Sequence, residues 1–283
     1  MKRLAVFFLM FVVLAAPAYA QAPTKIFLAS TGNDANDGSR TSPKRSFQSA
    51  HDAIADGGNI VVLDTAGYGS LSISKSVAIT VPPGVSGFST GSGITVHTGS
   101  SSLVTLNGLI VEGPGPQNGT TGINISSVGT MIVENCLVRN FGYGISLAAT
   151  ANSRLVVRGG SIENSISGIS SISYASGVTA EVVASDVAVD GASVSAFYVN
   201  ASVSTSTARL FATRCSVTNS AAAFRTDSSA STLIANECTV SGSSYVYFKP
   251  ANTGTFFTRN NNTYYNNVSL INGANTVSSY SPQ

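Results

Sequence analysis

The sequence predicts an all-β fold: a right-handed solenoid of parallel strands, about eight three-strand coils long, closed at its start by one short helix. Three observations carry this expectation. A short phrase, a small residue followed by a large apolar one, recurs at Gly93-Ile94, Gly122-Ile123, Gly144-Ile145, Gly168-Ile169, Ala196-Phe197, Ala223-Phe224 and Val246-Tyr247, in steps of 22 to 29 residues, the range of solenoid repeats. Within each repeat apolar residues alternate with period two, and no ten-residue stretch carries the 3.6 period of a helix. A second phrase sets the register. Asn135-Cys136-Leu137-Val138-Arg139-Asn140 lies over Gly159-Gly160-Ser161-Ile162-Glu163-Asn164, and the later copies read as Ser185–Asp190, Arg214–Asn219 and Glu237–Gly242.

Each repeat then holds three short strands: one after the Gly-Ile step, one around Leu155-Val156-Val157 and one around Ser161-Ile162-Glu163. Strands one repeat apart pair in parallel at ~4.8 Å. Stacking buries a continuous core that no single repeat could bury, and the handedness rule for parallel crossovers gives the right-handed coil.

Taken in order, residues 1–20 read as a secretory signal. Lys2 and Arg3 precede the apolar run Leu4 to Ala16, and Ala18-Tyr19-Ala20 supplies a small-x-small cleavage site. The expected location is therefore secreted or periplasmic. No later run approaches the ~18 apolar residues needed to span a bilayer, so membrane insertion is not expected. Removing Lys2 and Arg3 from fifteen basic residues leaves thirteen against thirteen acidic ones, a balance that argues against nucleic acid and anionic membrane as partners. Only 10% of residues are charged, and Ser, Thr, Asn and Gly fill the outward positions. Such a surface suits polysaccharide or cell-surface glycan, although solenoid turns favour the same residues for backbone reasons.

Residues 21–58 form an N-terminal block: a strand at Ile26-Phe27-Leu28-Ala29, a turn-rich loop from Ser30 to Gly38, and a helix from Ser46 to Ala55 with Phe47, Ala50 and Ile54 on one face. Ser46 is placed to cap the helix and Gly57-Gly58 to stop it. Laid over the open end of a solenoid, this helix would cover exposed core and strand edges. Closely spaced Asp34 and Asp37 are candidate calcium ligands, set against the ordinary use of Asp and Asn in tight turns. His51 reads as a surface histidine.

Residues 59–283 make the solenoid. Its first coil has strands near Ile60–Leu63, Leu71–Ser74 and Val77–Val81, after which Pro82-Pro83-Gly84 blocks pairing. The segments Gly113–Gly119 and Ser171–Gly177 lengthen their repeats and are expected to project as loops. Near the end Phe256, Phe257, Tyr264 and Tyr265 read as a last coil and an aromatic end-plug. Cys136, Cys215 and Cys238 share one inward column, which predicts buried reduced thiols more readily than a disulfide framework. Glu134 should face Arg158, and Arg139 should face Glu163. Asn140, Asn164, Asp190 and Asn219 are expected to form a hydrogen-bonded column at a turn.

The pattern Val-x-Asn-Cys-x-Val-x-Asn followed by Gly-Ile resembles the right-handed parallel β-helix, or pectin-lyase-like, superfamily. The opening block, with Gly32-Asn33-Asp34-Ala35-Asn36-Asp37-Gly38 before its helix, resembles the lead-in of many bacterial β-helix proteins. The resemblance implies an exported bacterial β-helix repeat protein. It does not choose among lyases, hydrolases, epimerases, tailspikes and adhesins, all of which use this architecture. The polygalacturonase set Asn-x-Asp, Asp-Asp, Gly-His-Gly and Arg-x-Lys is absent, as is the Asp-Pro-His-Asp of mannuronan epimerases. Pectate lyases cluster calcium-binding aspartates beside a basic residue, and Asp186 with Asp190 has none. These chemistries need positioned carboxylates, a base or a metal.

In this superfamily the strand after the Gly-Ile step often builds the substrate face. Its outward column is Thr95, Asn124, Ser146, Ser170, Tyr198, Arg225, Phe248, and two residues on lies His97, Ser126, Ala148, Ile172, Asn200, Asp227, Pro250. Chemistry concentrates at Tyr198, Asn200, Arg225, Asp227 and Lys249, the candidate ligand-binding residues. An aromatic plate beside a cation and a carboxylate suits a sugar, and an ordinary surface ion pair is the competing reading. Three functions remain open: a glycan-associated exported protein without catalytic motifs, a divergent polysaccharide lyase, and a structural or adhesive rod.

Overall fold

Why small and large residues alternate around each coil becomes clear once the interior is traced. A computed structural model describes residues 21–116, 119–250, 254–258, 261–272 and 277–279. Residues 1–20, with the expected signal segment, and Gln117 and Asn118 of the first expected loop lie outside them. The chain winds as a parallel β-helix of about eight turns, and every strand pairing among the described residues is parallel. One wall stacks eleven strands, from Lys25–Leu28 to Val277–Ser279. Two further strands per coil build the rest, and in two coils they run together without a break, as Leu137–Ala149 and Ser161–Ser173.

The apolar half of the alternation fills one continuous core. Val133, Val138, Val157 and Ile162 are all buried in it. Between two of its columns volume is exchanged from one wall to the other. Along the first wall the inward column runs Ile79, Leu106, Val133, Val157, then shrinks to Ala184, Ala212, Ala235. Across the interior the column Ile94, Ile123, Ile145, Ile169 grows over the same coils to Phe197, Phe224, Tyr247. The enlarged rings stack, Phe197 on Phe224 at 5.6 Å, and Tyr247 stacks on Phe256 of the first wall at 4.5 Å between centroids.

At each of two corners a left-handed residue recurs in six coils. One column is Gly108, Asn135, Gly159, Asp186, Arg214, Glu237; the other is Asn140, Asn164, Gly191, Asn219, Gly242, Asn266. Asn, Asp and Gly tolerate this backbone best, which accounts for their abundance without reference to a ligand. It also corrects the expected register. The copy read as Ser185–Asp190 is Asp186–Gly191, because Ala188 pairs with Ser161 and Asp190 with Glu163. Asp190 therefore stands one place before the turn, and the expected column splits into two pairs. Asn164 donates to Asn140 at 2.7 Å and Asn219 to Asp190 at 3.0 Å.

The glycines before Ile123, Ile145 and Ile169 serve a different need. They are not left-handed. A Cβ on Gly144 would meet Ile162 at 2.5 Å and the Gly168 carbonyl oxygen at 2.7 Å, so they are small because the interior is crowded there.

The N-terminal strand and helix form near their expected positions, but the helix ends at Ala53, with Ile54 already extended, and not at Gly57-Gly58, since Gly58 opens the next strand. Lys25–Leu28 pairs with Gly58–Val62. The helix spans Phe47–Ala53, with the Ser46 hydroxyl accepting from Ser49 N–H at 3.2 Å, and Phe47, Ala50 and Ile54 are buried against the first coil. His51 is not a surface residue. It is 2% exposed, because the helix lies flat on the coil end and its Nε2 accepts from Ser74 N–H at 3.2 Å. That bond leaves the ring proton on Nδ1, 3.1 Å from Asp52 Oδ1.

Glu134 pairs with Arg158 at 3.1 Å as expected. Arg139 stands between Glu112 and Glu163 in register and pairs with Glu112, at 3.1 Å, while Glu163 accepts from Ser161. Arg214 pairs with Asp186 through two hydrogen bonds of 2.8 Å, a pair hidden by the misread register. Ser171 and Ser173 are buried within their strand, so the second loop projects only from Tyr174 to Gly177. At the far end Phe256 is buried but Tyr265 is 51% exposed, and Val277–Ser279 pairs beyond Phe256. These aromatics add a coil to the stack; they do not close it. All three cysteines are buried and free. No helix among the described residues is long and apolar enough to cross a membrane.

Candidate functional site

The outward column expected from alternation is in register throughout: Thr95, Asn124, Ser146, Ser170, Tyr198, Arg225 and Phe248 are successive parallel partners. A parallel ladder of this kind stacks like positions one strand spacing apart. The Arg225 guanidinium therefore lies between two rings from neighbouring coils, 5.6 Å from the centroid of Tyr198 and 5.1 Å from that of Phe248, within cation–π range of both. Asp227, two residues on, faces the same side. Arg225 Nε and Nη2 donate to its two oxygens, each at 2.7 Å, and the Tyr198 hydroxyl donates to Oδ2 at 3.1 Å.

The electrostatics follow from these contacts. The hydrogen-bonded carboxylate of Asp227 raises the Arg225 pKa further, against the opposing effect of burial. Burial, then the negative charge of Asp227 and the bond to it, pushes the Tyr198 hydroxyl well above its ordinary range. At neutral pH the group is thus a neutral phenol, a guanidinium and a carboxylate that cancel in charge. The side chains of Arg225 and Asp227 are 26% and 19% exposed, so this is a half-buried pair and not a loose surface one.

Of the five candidates, Tyr198, Arg225 and Asp227 come together. Asn200 turns to Ser202 at 3.4 Å. Lys249 makes no hydrogen bond or ion pair with the cluster among the described residues. Sequence reasoning missed Tyr143, Val194 and Tyr245. Grooves lie on either side of Arg225, one lined by Tyr143, Ile166, Ser167, Val194, Ser195 and Tyr198, the other by Ser193, Val194, Ala221, Ala222, Tyr245 and Phe248. Alternation could not have found them: Tyr143, Ser167, Ser195, Ala222 and Tyr245 sit three residues before the chosen column, an odd offset that strict alternation turns inward, and they face out because two successive inward residues, such as Gly144 and Ile145, break the period.

Asp34 and Asp37 are placed differently. Asp34 Oδ1 accepts from the backbone N–H groups of Arg45 at 2.9 Å and Ser46 at 2.8 Å, and Oδ2 from the Ser46 hydroxyl at 2.8 Å. The Lys44 ammonium sits 2.8 Å from the Asp34 carbonyl oxygen. Burial pulls the Asp34 carboxyl up, but these donors outweigh it and hold the group below the usual carboxylate range. Asp37 accepts from Ser39 N–H at 2.9 Å in a local turn. Calcium needs a cage of inward oxygens; a loop that surrounds Asp34 with N–H and ammonium donors does not fit the ion. Among the described residues no three His, Cys, Asp or Glu side chains gather as a metal cluster.

Comparison with protein-family models, with curated proteins and with solved structures finds no match for this chain.

Proposed function

We propose that this β-helix is an exported glycan-binding protein that holds carbohydrate against the Tyr198–Arg225–Phe248 face without turning it over. The observation that carries the reading is the stacked guanidinium: two aromatic rings and a charge-compensated Arg–Asp pair form one ordered surface, with further rings of Tyr143 and Tyr245 beside it. Rings present flat apolar faces to the C–H faces of sugars, while neighbouring hydroxyls and the guanidinium edge supply hydrogen bonds. Export rests on the N-terminal segment with Lys2, Arg3 and Ala18-Tyr19-Ala20.

Lyase chemistry asks more of this face than it offers. β-Elimination needs a base near its working pH and a cation to neutralise the uronate carboxylate. Tyr198 keeps its proton and donates it to Asp227, and Arg225 is already neutralised by the same residue.

A glycan array read together with ultraviolet absorbance of unsaturated sugar products tests the proposal on the mature chain and on Tyr198→Ala with Arg225→Ala. Binding by the parent that is lost in the variant, with the circular dichroism melt retained and no chromophore in either, is the expected result. Chromophore formation by the parent would replace the binder with a lyase. Equal glycan binding by parent and variant, or none by either, would leave the rod reading in its place.

A further inference from the structure

The two grooves beside Arg225 share Val194 and the Arg225 side chain itself, and this continuity has a geometric cause. Tyr143 pairs with Ser167 and Ser167 with Ser195. Ala222, two residues before Phe224 as Ser195 is before Phe197, continues the column, and Ala222 pairs with Tyr245. Large, small, small, small, large is thus the order along the axis of the solenoid. Ser167, Ser195 and Ala222 face outward yet are buried, because Val194 and the Tyr198–Arg225–Phe248 ridge rise above them. They are the floor of a trough whose ends are the rings of Tyr143, 38% exposed, and Tyr245. Four strand spacings of ~4.8 Å separate the end rings, roughly 19 Å. The halves measure about 190 and 220 Å³; neither alone reaches the ~300 Å³ of an ordinary ligand pocket, and joined they do.

Resting on the glycan-binding reading, we infer that the trough takes an uncharged, extended oligosaccharide lying parallel to the solenoid axis, with its outer rings on Tyr143 and Tyr245. Sugar rings in an extended chain repeat at about one strand spacing, so outer rings ~19 Å apart call for a tetra- or pentasaccharide. Charge decides the class. The one cation lining the trough gives Nε and Nη2 to Asp227, and the floor contributes hydroxyls, with Ser167 and Ser195 Oγ 3.3 Å apart. A uronate chain would bring a row of carboxylates to a surface with no net positive charge and would pay to desolvate them. Neutral rings meet aromatic faces at both ends and hydroxyls between.

Calorimetric titration with cello-, xylo-, manno- and galacturono-oligosaccharides, each from di- to hexasaccharide, tests class and orientation together. At least one neutral series should tighten with length up to four or five rings and then level off, and the galacturonate series should bind at least tenfold more weakly at equal length. Tyr143→Ala and Tyr245→Ala should each weaken the pentasaccharide about tenfold while leaving the disaccharide within about twofold for at least one of the two variants. Tyr143 is exposed and Tyr245 is half-buried with its ring 5.8 Å from that of Phe248, and a parent-like melt confirms that each variant folds. Galacturonates binding more tightly than every neutral series, or affinity that does not grow past a disaccharide, would overturn this inference while leaving glycan binding in place. Absence of binding by all four series would remove both readings.

Discussion

Arg225 and Asp227 meet through two parallel hydrogen bonds of 2.7 Å, from Nε to Oδ1 and from Nη2 to Oδ2, and the ring of Tyr198 stacks on the guanidinium and reaches the same carboxylate with its hydroxyl. Alternation brings the two residues to one side of one strand, two positions apart, so a bidentate pair forms without any contribution from a distant element. Bidentate carboxylate pairs are stronger and more rigid than single contacts.

Replacing the carboxylate by its amide separates charge from shape. Asp227→Asn leaves Arg225 stacked between Tyr198 and Phe248 but no longer neutralised. Galacturonate oligosaccharides should gain about tenfold in affinity at low salt, and the gain should shrink as salt is added. Calorimetry at two ionic strengths reads it, and an unchanged uronate affinity would show that the Arg225 charge does not reach the bound chain.

Acid should loosen the N-terminal block first. Asp34, Asp52 and Asp64 all lie there, and in each the upward pull of burial is outweighed by hydrogen bonds: from Ser46 and the Arg45 amide to Asp34, from His51 and Gln48 to Asp52, from Ser30 and Tyr68 to Asp64. Folded pKa values below the unfolded value mean that folding favours the ionised form. The stability they add is complete above the unfolded value of about 4 and is lost as pH falls through the lower folded values. Melting followed by circular dichroism should stay level from about pH 7 to pH 5 and fall below about pH 4. The double variant Asp34→Asn with Asp64→Asn should start lower and fall less; a slope as steep as that of the parent would place the acid-sensitive groups elsewhere.

Two glycine-rich signals in the repeat respond to opposite substitutions. Gly144→Ala should cost about 1 to 3 kcal/mol, since its Cβ has no room against Ile162 and the Gly168 carbonyl oxygen. Asn140, at φ 62°, should accept Gly with little loss and lose about 1 kcal/mol on replacement by Ala. Denaturant melts of the three variants check the contrast, and a harmless Gly144→Ala would mean that the coils can spread.

Ser89 is fully buried beside Val111 in the interior, and its hydroxyl has no hydrogen-bond partner. Ser89→Ala removes an unsatisfied donor and should raise stability by about 1 kcal/mol. A drop of that size in the denaturant midpoint would reveal a partner for the hydroxyl.

Thiol chemistry should be silent in the folded protein. Burial pushes the Cys136 thiol up to about 11; the contact between Cys215 and Cys238 raises the first and lowers the second, and with both only 1% exposed it is burial that keeps reagent out. A disulfide reagent at pH 8 should find no reactive thiol until denaturant is added and three per chain afterwards. Rapid reaction of even one in the native state would show that the core opens.

The repeat period, the parallel register of most coils, the capping helix with Ser46 and the outward column through Tyr198, Arg225 and Phe248 were legible in the sequence. Each follows from a local rule: alternation assigns a face, a small residue before a large one marks a step, and a hydroxyl before an apolar run caps a helix. The register slipped at one copy, where Gly191 takes the left-handed position and Asp190 was read into it. Sequence spacing does not distinguish a residue at a turn from the one before it.

What only the tertiary structure decided were choices between neighbours that the repeat makes equivalent. Arg139 had a carboxylate on either side in register and took Glu112. His51 was sealed by the coil beneath its helix, and Asp34 was spent on backbone amides. The trough from Tyr143 to Tyr245 exists because three small residues fall consecutively between two rings of the stack, and their depth depends on how high Val194 and Arg225 stand above them. Alternation assigns a side chain to the outside of the coil; only the heights of its neighbours, set by packing, decide whether that outside is a surface or a floor.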